Sequence, residues 1–253
     1  MSLAFSERFI LRCAGTRFIR GRHLGGIVKD SHNSYLPLLL IGIFPSLSIY
    51  INYDLDYTVL FSQFAFISLK ILLIGVPIYW TLCVDREKID LSIPKSLGLK
   101  YGFFSGMAMA SIILLIYFLF SNTINLDLMK FEIGETGLLT PKIFVLGVVY
   151  WIFVNSLAEE FVFRKFVTTK LFEITDNKPL AIAGSAIFFT FHHTLALNYY
   201  FEPWQVLLST IGILGAGVIW SWLYLRFNSI FVCWISHAIC DVVIFGIGYV
   251  LLF

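Results

Sequence analysis

Seven apolar runs, each close to the length of a membrane-spanning helix, constrain this chain more than any other feature. They fall at about 35–52, 58–84, 101–121, 140–163, 179–200, 204–225 and 229–252. A helix rising ~1.5 Å per residue needs about 20 apolar residues to cross the hydrocarbon core of a bilayer. Composition agrees. The chain is 58% hydrophobic and only 13% charged, where soluble domains carry about 25% charged residues. A soluble globule of 253 residues could not hide that much apolar surface, and intrinsic disorder is excluded by the same figures. The expectation is an all-α fold, a polytopic transmembrane helix bundle of about seven spans. The net charge of +2 suggests no nucleic-acid partner.

The few charges are sorted along the chain. Residues 1–34 are basic, with Arg8, Arg12, Arg17, Arg20, Arg22 and Lys29 against Glu7 and Asp30. The positive-inside rule then predicts a cytoplasmic N-terminus. The connection near 52–57 holds Asp54 and Asp56, and the next holds Arg86, Lys88, Lys95 and Lys100. The long loop 122–140 has Lys130 beside Asp127, Glu132 and Glu135. Arg164, Lys165, Lys170 and Lys178 mark the following junction, and Arg226 the last turn on that side. The alternation is consistent at every loop. The predicted organisation is a basic N-terminal segment, 1–34, followed by a transmembrane domain, 35–253. Phe5, Phe9, Leu11, Phe18 and Ile19 lie among the arginines, so the segment suits either an interfacial helix or a plain topogenic stretch. A multi-pass protein of the bacterial plasma membrane is expected, with no cleavable signal peptide. Cys13, Cys83, Cys233 and Cys240 have no metal-type spacing and are expected as reduced thiols.

Ionisable residues inside the runs are costly, so they are the first candidates for a site. Glu159 and Glu160 end the fourth run, His192 and His193 lie in the fifth, and His237 and Asp241 lie in the seventh. Lys70 stands alone in the second, where snorkelling or a local partner is expected. Glu160 and Arg164 are four apart and share one helix face, which leaves Glu159, rotated by ~100°, free to face another helix. His237 and Asp241 are also four apart. His192 and His193 are adjacent and point apart, so one of them is expected to join the site. Carboxylates and imidazoles from three runs would meet in one half of the bundle. A Glu there can take a proton from water, and a His can hold the water or a developing oxyanion.

Three patches together resemble the CPBP family, the CAAX proteases and bacteriocin-processing or immunity enzymes also called Abi. Glu159, Glu160 and Arg164 match its Glu-Glu-x-x-x-Arg motif. Phe-x-x-x-His matches twice, as Phe188 with His192 and as Phe189 with His193. His237 and Asp241 match His-x-x-x-Asn/Asp. The resemblance covers about residues 140–245, the expected catalytic core. It implies an intramembrane endopeptidase acting on a membrane-associated peptide or protein: a leader peptide, a sorting tail or a CAAX-like C-terminus. Glu159 would be the general base. His193 or His192, with His237, would hold the water or oxyanion, supported by Asp241. Glu160 and Arg164 would form a structural pair. Asp241 departs from the more common Asn, and the extra carboxylate leaves a divalent metal open, with Glu159, His193, His237 and Asp241 as a zinc set. The reading without a cofactor is preferred.

Two other function classes compete. A non-catalytic immunity or scaffold protein would keep its function when Glu159 is replaced by Ala. A proton-coupled transporter would use the same buried acids, but no inverted repeat is visible.

Overall fold

The computed structural model describes residues 35–53, 59–89 and 91–253; the expected N-terminal segment 1–34 lies outside the described residues. No strand occurs among those described. Seven helices among the described residues are long and apolar enough to cross a membrane: α1 (Tyr35–Tyr53), α2 (Leu60–Val84), α3 (Ser96–Thr123), α5 (Pro141–Thr175), α6 (Lys178–Leu197), α7 (Pro203–Phe227) and α8 (Ile230–Leu252). A short helix, α4 (Leu126–Glu135), lies between α3 and α5. The all-α, seven-span expectation is therefore met.

Local chemistry explains where the helices stop. Prolines stand in the first turns of α5, α6 and α7, where the missing N–H costs nothing. Asp176 and Asn228 close α5 and α7 in the left-handed conformation, at φ 47° and 48°, which short polar side chains tolerate. Asn177 then caps α6, its side chain accepting from the Leu180 amide at 3.1 Å.

One expected boundary moves substantially. The fourth span does not end at 163 but runs on to Thr175, so Glu159 and Glu160 sit near mid-helix. The sequence suggests an end there because Arg164 and Lys170 look like cytoplasmic charges. Both are buried. Arg164 pairs with Glu160 at 3.1 Å, and Lys170 pairs with Asp85 at 2.6 Å and Glu173 at 2.9 Å. The helix also widens over Trp151–Asn155 and Glu160–Thr168, where the backbone takes a π-helical winding. Such stretches concentrate at functional positions.

Packing is closest where side chains are smallest. Gly98, Gly102 and Gly106 of α3 face α8. A methyl group at Gly102 would lie 2.5 Å from the Val232 carbonyl oxygen, and one at Gly106 would lie 3.0 Å from Ser236 Cα. The two backbones thus touch, as in small-x-x-x-small pairs between membrane helices, and the Ser105 and Ser236 hydroxyls bond across the seam at 3.0 Å. Gly217 of α7 lies against Ala186 of α6 in the same manner.

The polarity runs opposite to that of a soluble globule. Leu60, Phe64, Phe118, Leu146 and Val250 face outward, which suits hydrocarbon. Glu159, Glu160, Arg164, Ser185, Ser221, Ser236, His237 and Asp241 are buried. They are enclosed by Val162, Phe163, Phe189, Trp220, Leu223 and Val232, drawn from α5, α6, α7 and α8. Of the cysteines, Cys233 and Cys240 are free and buried. Cys13 lies outside the described residues.

Candidate active site

The interior of the bundle holds two adjoining polar groups, one centred on each glutamate. Glu160 belongs to the deeper one. Its Oε2 accepts from Arg164 Nε at 3.1 Å, and its Oε1 lies 2.8 Å from His237 Nδ1. Both Glu160 and Arg164 are fully buried. The guanidinium lies 4.6 Å from the Phe189 ring centroid, and Nη1 reaches the Ser221 and Ser185 hydroxyls at 3.4 and 3.5 Å. The Ser185 hydroxyl donates onward to the Phe163 carbonyl at 2.7 Å. A buried ion pair needs further polar contacts; serines on α6 and α7 supply them to Nη1, while Nη2 is buried without a hydrogen-bond partner among the described residues.

His237 is clamped as well as bonded. Its ring stacks on Trp220 with centroids 4.2 Å apart, and the Trp220 indole N–H donates to Ser236 Oγ at 3.0 Å. His237 Nε2 lies 3.5 Å from Asp241 Oδ1. Four residues therefore run in one line, Arg164, Glu160, His237 and Asp241, across α5 and α8.

Glu159 belongs to the second group. Its Oε1 accepts from Asn155 Nδ2 at 2.7 Å and lies 3.8 Å from Lys70 Nζ. Lys70, His193, His237 and His192 are all within electrostatic reach of this carboxylate. Glu159, His192 and His193 each place a potential ligand atom within 4.8 Å of the others. The two imidazoles lean together, with centroids 4.1 Å apart, so both histidines approach Glu159, where one was expected. His193 Nδ1 is bonded to the Phe189 carbonyl at 2.8 Å, which leaves Nε2 for other contacts. Phe189 is buried among His192, His193, His237, Trp220 and Arg164. Phe188 instead packs toward Gly42 of α1. Of the two Phe-x-x-x-His registers in the sequence, the Phe189–His193 register is the one whose Phe lines the site.

Two residues of this group fall outside the expected set. Asn155 stands four residues before Glu159, and the same spacing rule that pairs Glu160 with Arg164 finds it. Lys70 is visible in the sequence as a charge inside an apolar run. Its partner, however, is 85 residues away, Asn155 Oδ1 at 2.5 Å, and not a local group or the interface. The expected zinc set also changes composition. Among the described residues, the donors that converge are Glu159, His192 and His193; His237 is turned to Glu160 and Asp241.

This geometry coincides with a family relationship. Residues 141–243 match the family model described as type II CAAX prenyl endopeptidase Rce1-like. That segment is similar to the Rce1-like family. The match agrees with the CPBP resemblance drawn from the three motifs, and it includes every motif residue from Glu159 to Asp241. It names a family of endopeptidases, so protease chemistry is supported at the level of the family. No curated protein and no solved structure matches the chain significantly. The Rce1-like segment begins at the first residue of α5 and ends within α8. Lys70 of α2 therefore enters the site from outside it. With three span-length helices before the segment and four that begin within it, the chain reads as a multi-pass membrane protein.

Proposed function

We propose that the chain is an intramembrane endopeptidase that hydrolyses a membrane-associated peptide or protein through water activated by Glu159. The observation that carries this reading is the convergence of the Glu159 carboxylate with His192 and His193, inside an apolar bundle, within the Rce1-like segment. Glu159 takes a proton from water as the water attacks the scissile carbonyl, and later returns it to the leaving amine. His193, fixed by the Phe189 carbonyl, and His192 hold the water and stabilise the oxyanion. His237, supported by Asp241, completes the polar wall. Glu160 and Arg164 do not react; they fix the helix that presents Glu159.

The same donors bear on a metal. Three ligand atoms match the number of protein ligands at a catalytic zinc. The Lys70 ammonium 3.8 Å from the Glu159 oxygen opposes a second cation at that carboxylate. We therefore read the reaction as metal-free. A titration with 1,10-phenanthroline leaves the rate unchanged on this reading; inhibition that added zinc reverses overturns it.

Orientation follows from the remaining charges. With Arg164 and Lys170 withdrawn into the bundle, Lys88, Lys95, Lys100, Lys165, Lys178 and Arg226 still mark one side, and Asp127, Glu132 and Glu135 the other. The N-terminus is then cytoplasmic and the cytoplasm holds the substrate's soluble part. The plasma membrane of a bacterium is the proposed location. The decisive experiment follows cleavage of an internally quenched prenylated peptide ending in a CAAX-like sequence, and of a leader peptide, by the purified chain in proteoliposomes. The Glu159→Ala variant inserts and folds but cleaves neither. Full cleavage by that variant removes the reading.

A further inference from the structure

Lys70 lies on α2, outside the matched segment and across from the middle of α5. An ammonium within an apolar run costs a few kcal/mol on insertion scales, so its contacts indicate what offsets that cost. It donates to Asn155 Oδ1 at 2.5 Å. Asn155 Nδ2 in turn donates to Glu159 Oε1 at 2.7 Å, and Lys70 Nζ lies 3.8 Å from the same Oε1. Two side chains from two helices thus converge on one oxygen of the carboxylate, one through a hydrogen bond and one through charge. Among the described residues no hydrogen bond reaches the other oxygen, Oε2.

The surroundings make this a working position. A narrow groove between α2 and α5 is lined by Lys70, Asn155 and Glu159 together with Leu73, Ile74 and Val154. The Lys70 side chain keeps 27% exposure, against 8% for Glu159. Lys70 therefore stands at the edge of the groove, with Glu159 behind it. A lysine serving only to join two helices would not need to point its charge at the one carboxylate that the Glu160–Arg164 pair leaves unpaired.

We propose that Lys70, acting through and beside Asn155, is a positioning residue that holds Glu159 by Oε1 and so leaves Oε2 to take the proton from water. The inference rests on the reading of Glu159 as the general base. Second-sphere groups that orient a reacting side chain commonly change activity about 10- to 100-fold when removed. Holding the base affects the chemical step rather than uniform binding, so the change should fall in kcat.

The test uses the full chain in proteoliposomes with the prenylated quenched peptide as probe. Lys70→Gln is expected to lower kcat about 10- to 100-fold with KM within about twofold. Lys70→Arg, which keeps the charge at the groove edge, is expected to recover most of the loss. Asn155→Ala is expected to resemble Lys70→Gln. An unchanged kcat in Lys70→Gln overturns the proposal, as does an equal loss in Lys70→Arg, which would mark Lys70 as packing alone. A thermal-unfolding cycle of Lys70→Gln, Glu159→Gln and the double variant needs no substrate. Non-additive shifts are expected, and additive shifts overturn the Lys70–Glu159 contact whether or not the probe is cleaved. A wild-type chain that cleaves no probe while the cycle is non-additive would count against the protease reading and leave the contact standing.

Discussion

Glu159 and Glu160 are neighbours in the chain, carry the same carboxylate, and occupy opposite kinds of surroundings. Glu160 has both oxygens committed, one to Arg164 and one to His237, and its side chain is sealed from solvent. Glu159 has one oxygen held by Asn155 and Lys70, lies at a groove, and faces two imidazoles. A carboxylate with both oxygens engaged and no exposure is out of a substrate's reach and acts as structure. One with a free oxygen beside imidazoles can accept a proton. On the proposed reading, a rotation of ~100° along one helix separates the reactive group from the one that supports it.

The sharpest way to break this comparison is to exchange the two losses. Glu159→Gln should lower kcat by about 10²- to 10⁴-fold, the range ascribed to a general base, with the thermal midpoint little changed. The measurement is paired cleavage kinetics and unfolding in detergent micelles. If Glu159→Gln unfolds the chain, or Glu160→Gln abolishes cleavage without loss of stability, the assigned roles are inverted.

Arg164→Ala attacks the other side. It leaves Glu160 as a buried charge with one partner removed, and such losses cost about 3–5 kcal/mol. Insertion should survive, but the thermal midpoint should drop far more than in Glu159→Gln, and activity should fall with the folded fraction. A normal midpoint with lost cleavage would move Arg164 into the reaction itself.

These expectations separate what spacing reveals from what it conceals. Both pairs at four-residue spacing, Glu160 with Arg164 and His237 with Asp241, are legible in the amino-acid sequence, because one helical turn brings i and i+4 together regardless of the rest of the fold. The seven spans are legible for the same kind of reason, since the bilayer imposes one length on each. The end of α5 is not. Arg164 and Lys170 read as surface charges until their partners on other elements, Ser185, Ser221 and Asp85, are known. Lys70 reads as a lone charge because its partner lies on a helix far away in sequence. Angular position separates the two histidines, yet their rings lean together, a tilt that a helical wheel does not contain.

A milder perturbation should reach Glu160 through its neighbour α8 and spare Glu159. Gly102→Ala places a methyl group against the Val232 carbonyl, a backbone atom that cannot step aside as a side chain would. Overpacking of this kind costs about 1–3 kcal/mol. Because α8 carries His237, the shift should weaken the Glu160–His237 contact while leaving the Lys70–Asn155–Glu159 group on α2 and α5 in place. The expected result is a lower unfolding midpoint with kcat nearly unchanged at a temperature where the variant is folded. A selective loss of kcat would show that the two groups are coupled more tightly than their separate partners suggest.

The smallest effect is expected at the end of the chain of contacts. Asp241 lies 3.5 Å from His237 Nε2 and keeps more exposure than His237 does. On the proposed reading its carboxylate, within ion-pair reach of the ring, helps keep the imidazole in one orientation, and an amide oxygen offers an acceptor in the same place. Trp220 stacking and the Glu160 contact hold the ring from two other directions. Asp241→Asn should therefore cost less than about tenfold in kcat, while Asp241→Leu, which removes the acceptor at similar size, should cost more. Steady-state kinetics of the two variants decide it. If Asn and Leu behave alike, the Asp241–His237 contact contributes nothing to orientation, and His237 is held by Glu160 and Trp220 alone. That outcome would shorten the Glu160 group by one member and leave the contrast with Glu159 resting on Arg164 and His237.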